Sequence, residues 1–182
     1  ISNWNVSNVT DMSYMFHKVV SFNCDISRWD ISQLKNMDWM FAEAISFNSD
    51  ISCWNVSNVR SMSHLFYKTV EFDCDLSRWK TRNVKNMSWL FSRKKNINCS
   101  ITRWDVSNVD CMSYMFYGST DFNCDLSNWN VSKVTDMSYM FAEVSLFNGN
   151  ISKWNVSNVE NMSNMFYKAS SFNQDISNWN VS

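Results

Sequence analysis

Ile151-Ser-Lys-Trp-Asn-Val-Ser-Asn-Val-Glu-Asn-Met-Ser-Asn-Met-Phe-Tyr-Lys-Ala-Ser-Ser-Phe-Asn-Gln-Asp175 is one copy of a unit that fills the chain, restarting every 25 residues without insertion or deletion. Tryptophan fixes the register: Trp4, Trp29, Trp54, Trp79, Trp104, Trp129, Trp154 and Trp179 fall at one place in successive units. A period in this range marks an array in which each unit buries its apolar side only by stacking on its neighbours. The 182 residues therefore make one array, seven full units and the partial unit Ile176–Ser182, with no domain boundary inside it. With no proline and two glycines there is also no linker.

Counted from Ile1, the apolar residues Ile1, Trp4, Val6 and Val9 have the spacing of a leucine-rich repeat. That spacing predicts a short strand over positions 3–6 of each unit, with positions 3 and 5 facing outward on a parallel sheet. Downstream, the apolar residues Val9, Met12, Met15 and Phe16 follow helical spacing, with Asn8 as N-cap and Asp11 as the acidic half of a capping box. The fold expected is thus an α/β solenoid with one short parallel strand and one short helix per unit. Positions 10, 14 and 17 point away from its core. Each unit closes on a segment such as Phe22-Asn-Cys-Asp25, with Phe inward and Asn in a hydrogen-bonded ladder along the stack.

The strings Trp-Asn-Val-Ser-Asn-Val-Thr-Asp-Met-Ser-Tyr-Met-Phe and Phe-Asn-Gln-Asp-Ile-Ser-Asn-Trp, repeated over the whole chain, resemble the repeat of BspA-like leucine-rich-repeat surface proteins of the mycoplasma-lipoprotein type. The resemblance implies a leucine-rich-repeat-like solenoid, an extracellular or cell-surface location, and a role in attachment or other binding. It carries no catalytic site and names no ligand.

The net charge of −1 exerts no global pull on nucleic acid. No apolar run approaches the roughly 20 residues needed to cross a bilayer. Charge is nevertheless uneven. The fourth unit, Leu76 to Ser100, holds seven basic and no acidic residues, against 9 basic and 17 acidic in the remainder. Arg78 and Lys80 fall on the outward strand positions of that unit with Arg82 beside them on the same face, Arg103 on the next unit and Arg28 two units earlier. These five residues form the candidate site for an acidic glycan or acidic protein; a degenerate unit with a solvated charge run is the plainer reading.

A second outward column reads Tyr14, Trp39, His64, Trp89, Tyr114, Tyr139 and Asn164. Its aromatic members Tyr14, Trp39, Trp89, Tyr114 and Tyr139 either offer a platform to sugar rings or a partner, or stack on one another. Asn-Val-Ser sequons, such as Asn5-Val-Ser7, read as by-products of the repeat, and the Asp25, Asp50, Asp75, Asp125 and Asp175 column reads as turn caps rather than a calcium site. No metal or other cofactor is expected. An enzyme is not expected either, because His17 and His64 sit in variable outward columns and no Ser or Cys is paired with a base by a recognisable motif. Cys24, Cys74, Cys99 and Cys124 share a column with Ser49, Gly149 and Gln174, which favours small packing residues over a single bridge among Cys74, Cys99 and Cys124. Both ends are ordinary strand segments, so the array is expected either to continue beyond them or to self-associate end to end as a fibre.

Overall fold

Position 11 of the unit is where successive copies meet: Asp11, Asn36, Ser61, Asn86, Cys111, Asp136 and Asn161 are joined by six parallel bridges. The computed structural model describes all 182 residues and stacks them as rungs of one unit each. Apart from the five-residue 3₁₀ turn Cys99–Arg103, the rungs contain no helix and no strand. Each is a closed succession of turns.

The backbone hydrogen bonds of the first rung show why. The N–H groups of Met12, Tyr14, Phe16 and Lys18 donate to the carbonyls of Asn36, Asp38, Met40 and Ala42 on the next rung. Those of Met15, His17 and Val19 donate within the rung to the carbonyls three residues back, Met12, Tyr14 and Phe16. The remaining N–H, of Ser13, is taken by the Asp11 side chain at 2.8 Å. Every donor from position 12 to position 19 is therefore satisfied, by three different kinds of partner.

This accounting corrects the α/β reading, and with it the leucine-rich-repeat geometry. A helix needs each N–H to reach the carbonyl four residues back, but here the position-11 side chain captures the amide of position 13 in five rungs, Asp38 of the preceding rung captures that of Ser63, and the chain folds into a turn. Positions 14 and 18 then take positive φ: Tyr14, Trp39, His64, Trp89, Tyr114, Tyr139 and Asn164 lie between 55° and 61°. A left-handed residue third in a four-residue turn is the type II pattern, which closes Met12 to Met15 and Phe16 to Val19. Positions 3–6 are not a strand either. Their segment carries only the turn bonds Trp4 to Ile1 and Val9 to Val6.

On that side the rungs are joined through side chains instead. The indole N–H of Trp29 donates to the Ile1 carbonyl at 3.2 Å, and the pattern repeats to Trp179 on Ile151. The Asn8 column acts likewise, Asn58 reaching the Ser32 carbonyl at 2.6 Å and Asn83 the Ser57 carbonyl at 2.7 Å. The expected Asn ladder at position 23 is present on either side of the fourth rung, the side chain accepting the next rung's backbone N–H, as in Asn48 to Asn23 at 2.8 Å, and is interrupted at Asn98.

Inside, the Trp, Val, Met and Phe columns form a core cluster of 49 buried residues. Phe16 and Phe22 stack at 3.8 Å within a rung, and Phe16 meets Phe41 of the next at 5.8 Å. Each rung depends on its neighbour for cover: Trp4, on the first rung, is 54% exposed, whereas Trp29 is 4% exposed.

The fourth rung departs from the pattern. Ile97 replaces the closing Phe, Asn96 takes φ 53°, and the backbone bonds that join position 21 to the preceding rung elsewhere, as in Glu71 to Ile45, are missing at Asn96 and Asp121. A disulfide spans this junction, Cys99 to Cys124, with Cα atoms 5.5 Å apart. The expectation that these cysteines only pack is corrected for this pair. The altered loop and its 3₁₀ turn re-aim Cys99 across the rungs. Cys74 stays a thiol, held 3.4 Å from the Asp50 carboxylate and pushed up to about 11 by burial.

Candidate functional site

The five basic residues singled out from the sequence all lie on the outside. Arg28, Arg78 and Arg103 occupy the exposed column 3, with Lys80 and Arg82 exposed at positions 5 and 7 of the fourth rung. Their charge is partly answered. Arg82 lies 3.6 Å from Asp105, and Asp75, close enough to Arg78 and Arg103 for both to lower its pKa, sits near both. The larger cause of that lowering is the backbone N–H of Ser77, which Asp75 accepts at 2.8 Å. Asp25, Asp50, Asp125 and Asp175 are lowered first by the same turn bond, so the acidic column spends an oxygen on its own backbone.

The structure adds a column that spacing alone did not single out. Lys35, Arg60 and Lys85 stand at position 10 of the second, third and fourth rungs, all exposed, with their backbones joined directly: Arg60 N–H to the Lys35 carbonyl and Lys85 N–H to the Arg60 carbonyl, each at 2.8 Å. No carboxylate pairs with Lys35 or Arg60, while Lys85 lies 3.7 Å from Asp110 on the next rung. The turn from Thr81 to Val84 carries Arg82, and Lys85 follows it directly.

The rest of the fourth unit's charge is dispersed. Arg93 packs its guanidinium 5.2 Å from the Tyr117 ring. Lys94 turns inward and is 3% exposed, in a column otherwise filled by Val19, Ala44, Thr69, Ser119, Val144 and Ala169. Its ammonium donates to the carbonyls of Phe72 and Lys95. Burial pushes it down to about 8, against the opposing pull of Asp73 and Glu71.

Lys94→Met is therefore expected to stabilise the protein by about 1 to 3 kcal/mol at pH 7. Because the native Lys94 pKa of about 8 lies below the unfolded value near 10.4, the unfolded chain binds more protons between those limits. Native stability thus rises with pH across that window, and the advantage of methionine shrinks. Urea unfolding of both proteins at pH 7 and pH 10 checks this; a difference that does not change with pH would mean the ammonium is not buried.

The aromatic column forms a continuous outer stack. Tyr14 and Trp39 are 5.7 Å apart, Trp39 and His64 3.8 Å, His64 and Trp89 5.2 Å, Trp89 and Tyr114 4.0 Å, and Tyr114 and Tyr139 4.5 Å. The ring faces are spent on one another and their edges look outward, where Tyr67 and Tyr117 lie across them. Left-handed backbone costs a bulky residue about 1 to 2 kcal/mol, and ring pairs return about 0.5 to 1.5 kcal/mol, so the stack offsets much of the strain at position 14. His64 fits because burial, helped by the like charge of His17, pushes it down to about 4 and keeps it neutral.

No group of three or more His, Cys, Asp and Glu is placed to hold a metal ion, and no helix is long and apolar enough to cross a membrane. No curated protein and no solved structure matches the chain. A family model does match, over residues 1–102 and again over 85–182, so that its two copies cover the whole array. This ties the chain to a mycoplasma-type repeat, but not to the BspA-like leucine-rich repeats that its strings resemble. The chain belongs to the family described as Mycoplasma protein of unknown function, DUF285.

Proposed function

We propose that the chain is a non-enzymatic recognition module of the cell exterior whose basic rungs hold an extended acidic glycan. One observation carries this reading: Lys35, Arg60 and Lys85 are stacked on consecutive rungs, exposed, and only Lys85 has a carboxylate beside it. Like charges about 5 Å apart repel by on the order of 1 kcal/mol per adjacent pair at a wet surface. An anionic polymer lying along the stack relieves that repulsion at each rung. Arg78, Lys80, Arg82 and Arg103 widen the basic strip around the corner. The Cys99–Cys124 bridge supports an oxidising, extracytoplasmic setting. The absence of a role for the histidines in chemistry is supported by their packing, His64 against Trp39 and His17 edge-on to it.

Retention on immobilised heparin tests the reading. The native chain is expected to bind at low ionic strength and to elute as salt screens the contacts. Lys35→Ser with Arg60→Ser and Lys85→Ser should flow through, and Arg78→Ser with Lys80→Ser, Arg82→Ser and Arg103→Ser should elute earlier than the native chain. Unaltered retention of the triple variant would remove the proposal.

A further inference from the structure

Cys99 has a cysteine on either side of it along the stack. Column 24 reads Cys24, Ser49, Cys74, Cys99, Cys124, Gly149 and Gln174, so three cysteines stand on consecutive rungs. Toward the fifth rung Cys99 is bridged to Cys124, while Cys74 on the third rung is a free thiol. Cys99 is nevertheless level with Cys74, because the residues flanking it bond to the residues around that thiol. Asn98 donates to the Cys74 carbonyl and to the Asp73 carboxylate, each at 3.1 Å, and Ser100 accepts the Leu76 N–H at 3.1 Å. Rungs about 4.8 Å apart bring the Cα atoms of Cys74 and Cys99 within the span of roughly 4.4 to 6.8 Å that a disulfide bridges.

We propose that the bridge is exchangeable: the Cys74 thiolate attacks the Cys99 sulfur, a Cys74–Cys99 bond forms as the Cys99–Cys124 bond breaks, and Cys124 leaves as a thiolate. The proton that Cys74 gives up is taken up by Cys124, and nothing is oxidised or reduced overall, so the step needs no further reactant. Cys99 is the sulfur open to attack, since it is exposed whereas Cys124 is 2% exposed. A hollow between the third and fourth rungs, lined by Cys74, Lys94, Ile97 and Asn98 among others, gives the Cys74 side chain room to turn toward Cys99. The exchange moves the fastening of the fourth rung from its successor to its predecessor. Because the position-21 bonds are missing at both Asn96 and Asp121, the return loop has one covalent link to place at either of two weak junctions.

Asp50 holds the thiol at rest. Burial first, and then the Asp50 carboxylate that accepts the S–H at 3.4 Å, push Cys74 up to about 11. The other charged groups around it are its chain neighbours Asp73 and Asp75 and, across the hollow, Lys94. Of these only Lys94 favours a thiolate, and its ammonium already donates to the carbonyls of Phe72 and Lys95. Exchange therefore quickens with pH, by about tenfold per unit while thiolate is the minor form. It involves none of the residues of the basic strip, so it is independent of glycan binding.

Peptide mapping of the whole chain follows the bridge. The protein is held between pH 8 and pH 10 without added thiol, quenched in acid, blocked with maleimide and digested. The Cys99–Cys124 peptide is expected to be joined with time by a Cys74–Cys99 peptide, the maleimide moving from Cys74 to Cys124 at a rate independent of protein concentration. Asp50→Asn should speed the movement by about tenfold. In Cys124→Ser, held in a glutathione and glutathione disulfide buffer, Cys99 should pair with Cys74 and carry little glutathione, because the neighbouring thiol acts at a high effective concentration. Maleimide that stays on Cys74 at every pH and time, or a Cys124→Ser chain that keeps glutathione on Cys99 with Cys74 free, would each overturn the proposal.

Discussion

Replacing Trp104 by alanine is expected to lower the stability of the array by about 3 to 5 kcal/mol, the range for emptying a buried aromatic site. Trp104 is 3% exposed, stacks on Trp79 at 6.1 Å and tilts against Phe91 at 5.9 Å. Its indole N–H is also the link to the preceding rung, reaching the Leu76 carbonyl at 2.9 Å. Trp104→Phe separates the two contributions: it keeps most of the apolar volume but leaves that carbonyl without its donor, at about 1 to 3 kcal/mol. Urea unfolding followed by circular dichroism gives both numbers. Since each rung rests only on its neighbours, the alanine variant should also broaden the transition by uncoupling the two halves. A mid-array alanine variant with an unchanged unfolding curve would contradict the inward placement of the tryptophan column.

Loss of the Cys99–Cys124 bridge, by reduction or by Cys99→Ser with Cys124→Ser, should cost about 3 to 4 kcal/mol. The bridge closes a loop with a sequence separation of 25, and chain-entropy estimates for loops of that length fall in this range. Its position makes the loss costly beyond entropy, because the position-21 bonds are missing on both sides of the fourth rung. In the bridge's absence the loop keeps Asn98, which donates to the Cys74 carbonyl at 3.1 Å, on the side of the third rung, while toward the fifth rung Lys94 N–H still reaches Ser119 Oγ at 3.2 Å. Limited proteolysis after reduction should therefore cut first between Lys94 and Ser100. Cleavage spread evenly along the array would show that the bridge is not a local fastener.

The outward and inward positions of the unit were legible in the sequence, because burial follows chemistry whatever path the backbone takes. Positions 10 and 14 do face out, and Trp29, Met37 and Phe41 are buried; position 17, expected outward as well, is fully covered at Ala42, Ser92 and Ala142. The backbone itself was not legible from periodicity. Val9, Met12, Met15 and Phe16 satisfy helical spacing and a chain of turns equally well, since both bring the chain round every three to four residues. The discriminating signal was the Asn/Asp-x-Ser triplet, which recurs along the chain and marks the first unit as Asn5-Val-Ser7, Asp11-Met-Ser13 and Asp25-Ile-Ser27. In each, the first side chain accepts the N–H of the serine two residues on. Read as a glycosylation sequon the triplet is incidental; read as a turn it forbids the helix. The left-handed φ of Tyr14 and Trp39 could not be foreseen, because bulky residues avoid it unless a neighbouring rung fixes the peptide and stacks on the ring.

Among the candidate site residues, Arg78, Lys80, Arg82 and Arg103 lie outside as the spacing required. Arg93, Lys94 and Lys95 are consecutive in the chain yet form no cluster: one side chain lies on a ring, one is buried and one is exposed. Lys35, Arg60 and Lys85 are 25 residues apart in the chain and become neighbours only when rungs are stacked. A charge run along the chain and a charge run along the stack are different objects, and the second is the one a partner meets.

The inter-rung bonds have a direction. The peptides preceding Tyr14, Trp39, His64, Trp89 and Tyr114 each send an N–H toward the following rung, and those preceding the residues from Trp39 onward send a carbonyl back, in a head-to-tail line. Parallel lines pass through the peptides preceding Met12, Phe16 and Lys18, against two opposing lines, one at position 10, where Arg60 N–H reaches back to the Lys35 carbonyl, and one at position 21 that the fourth rung interrupts. Aligned peptide dipoles add, as they do along a helix, but here the negative pole lies toward the amino-terminal rungs, the reverse of the helical sense. The array is thus an electric dipole whose polarity is fixed by the direction of the chain and whose moment grows with each rung.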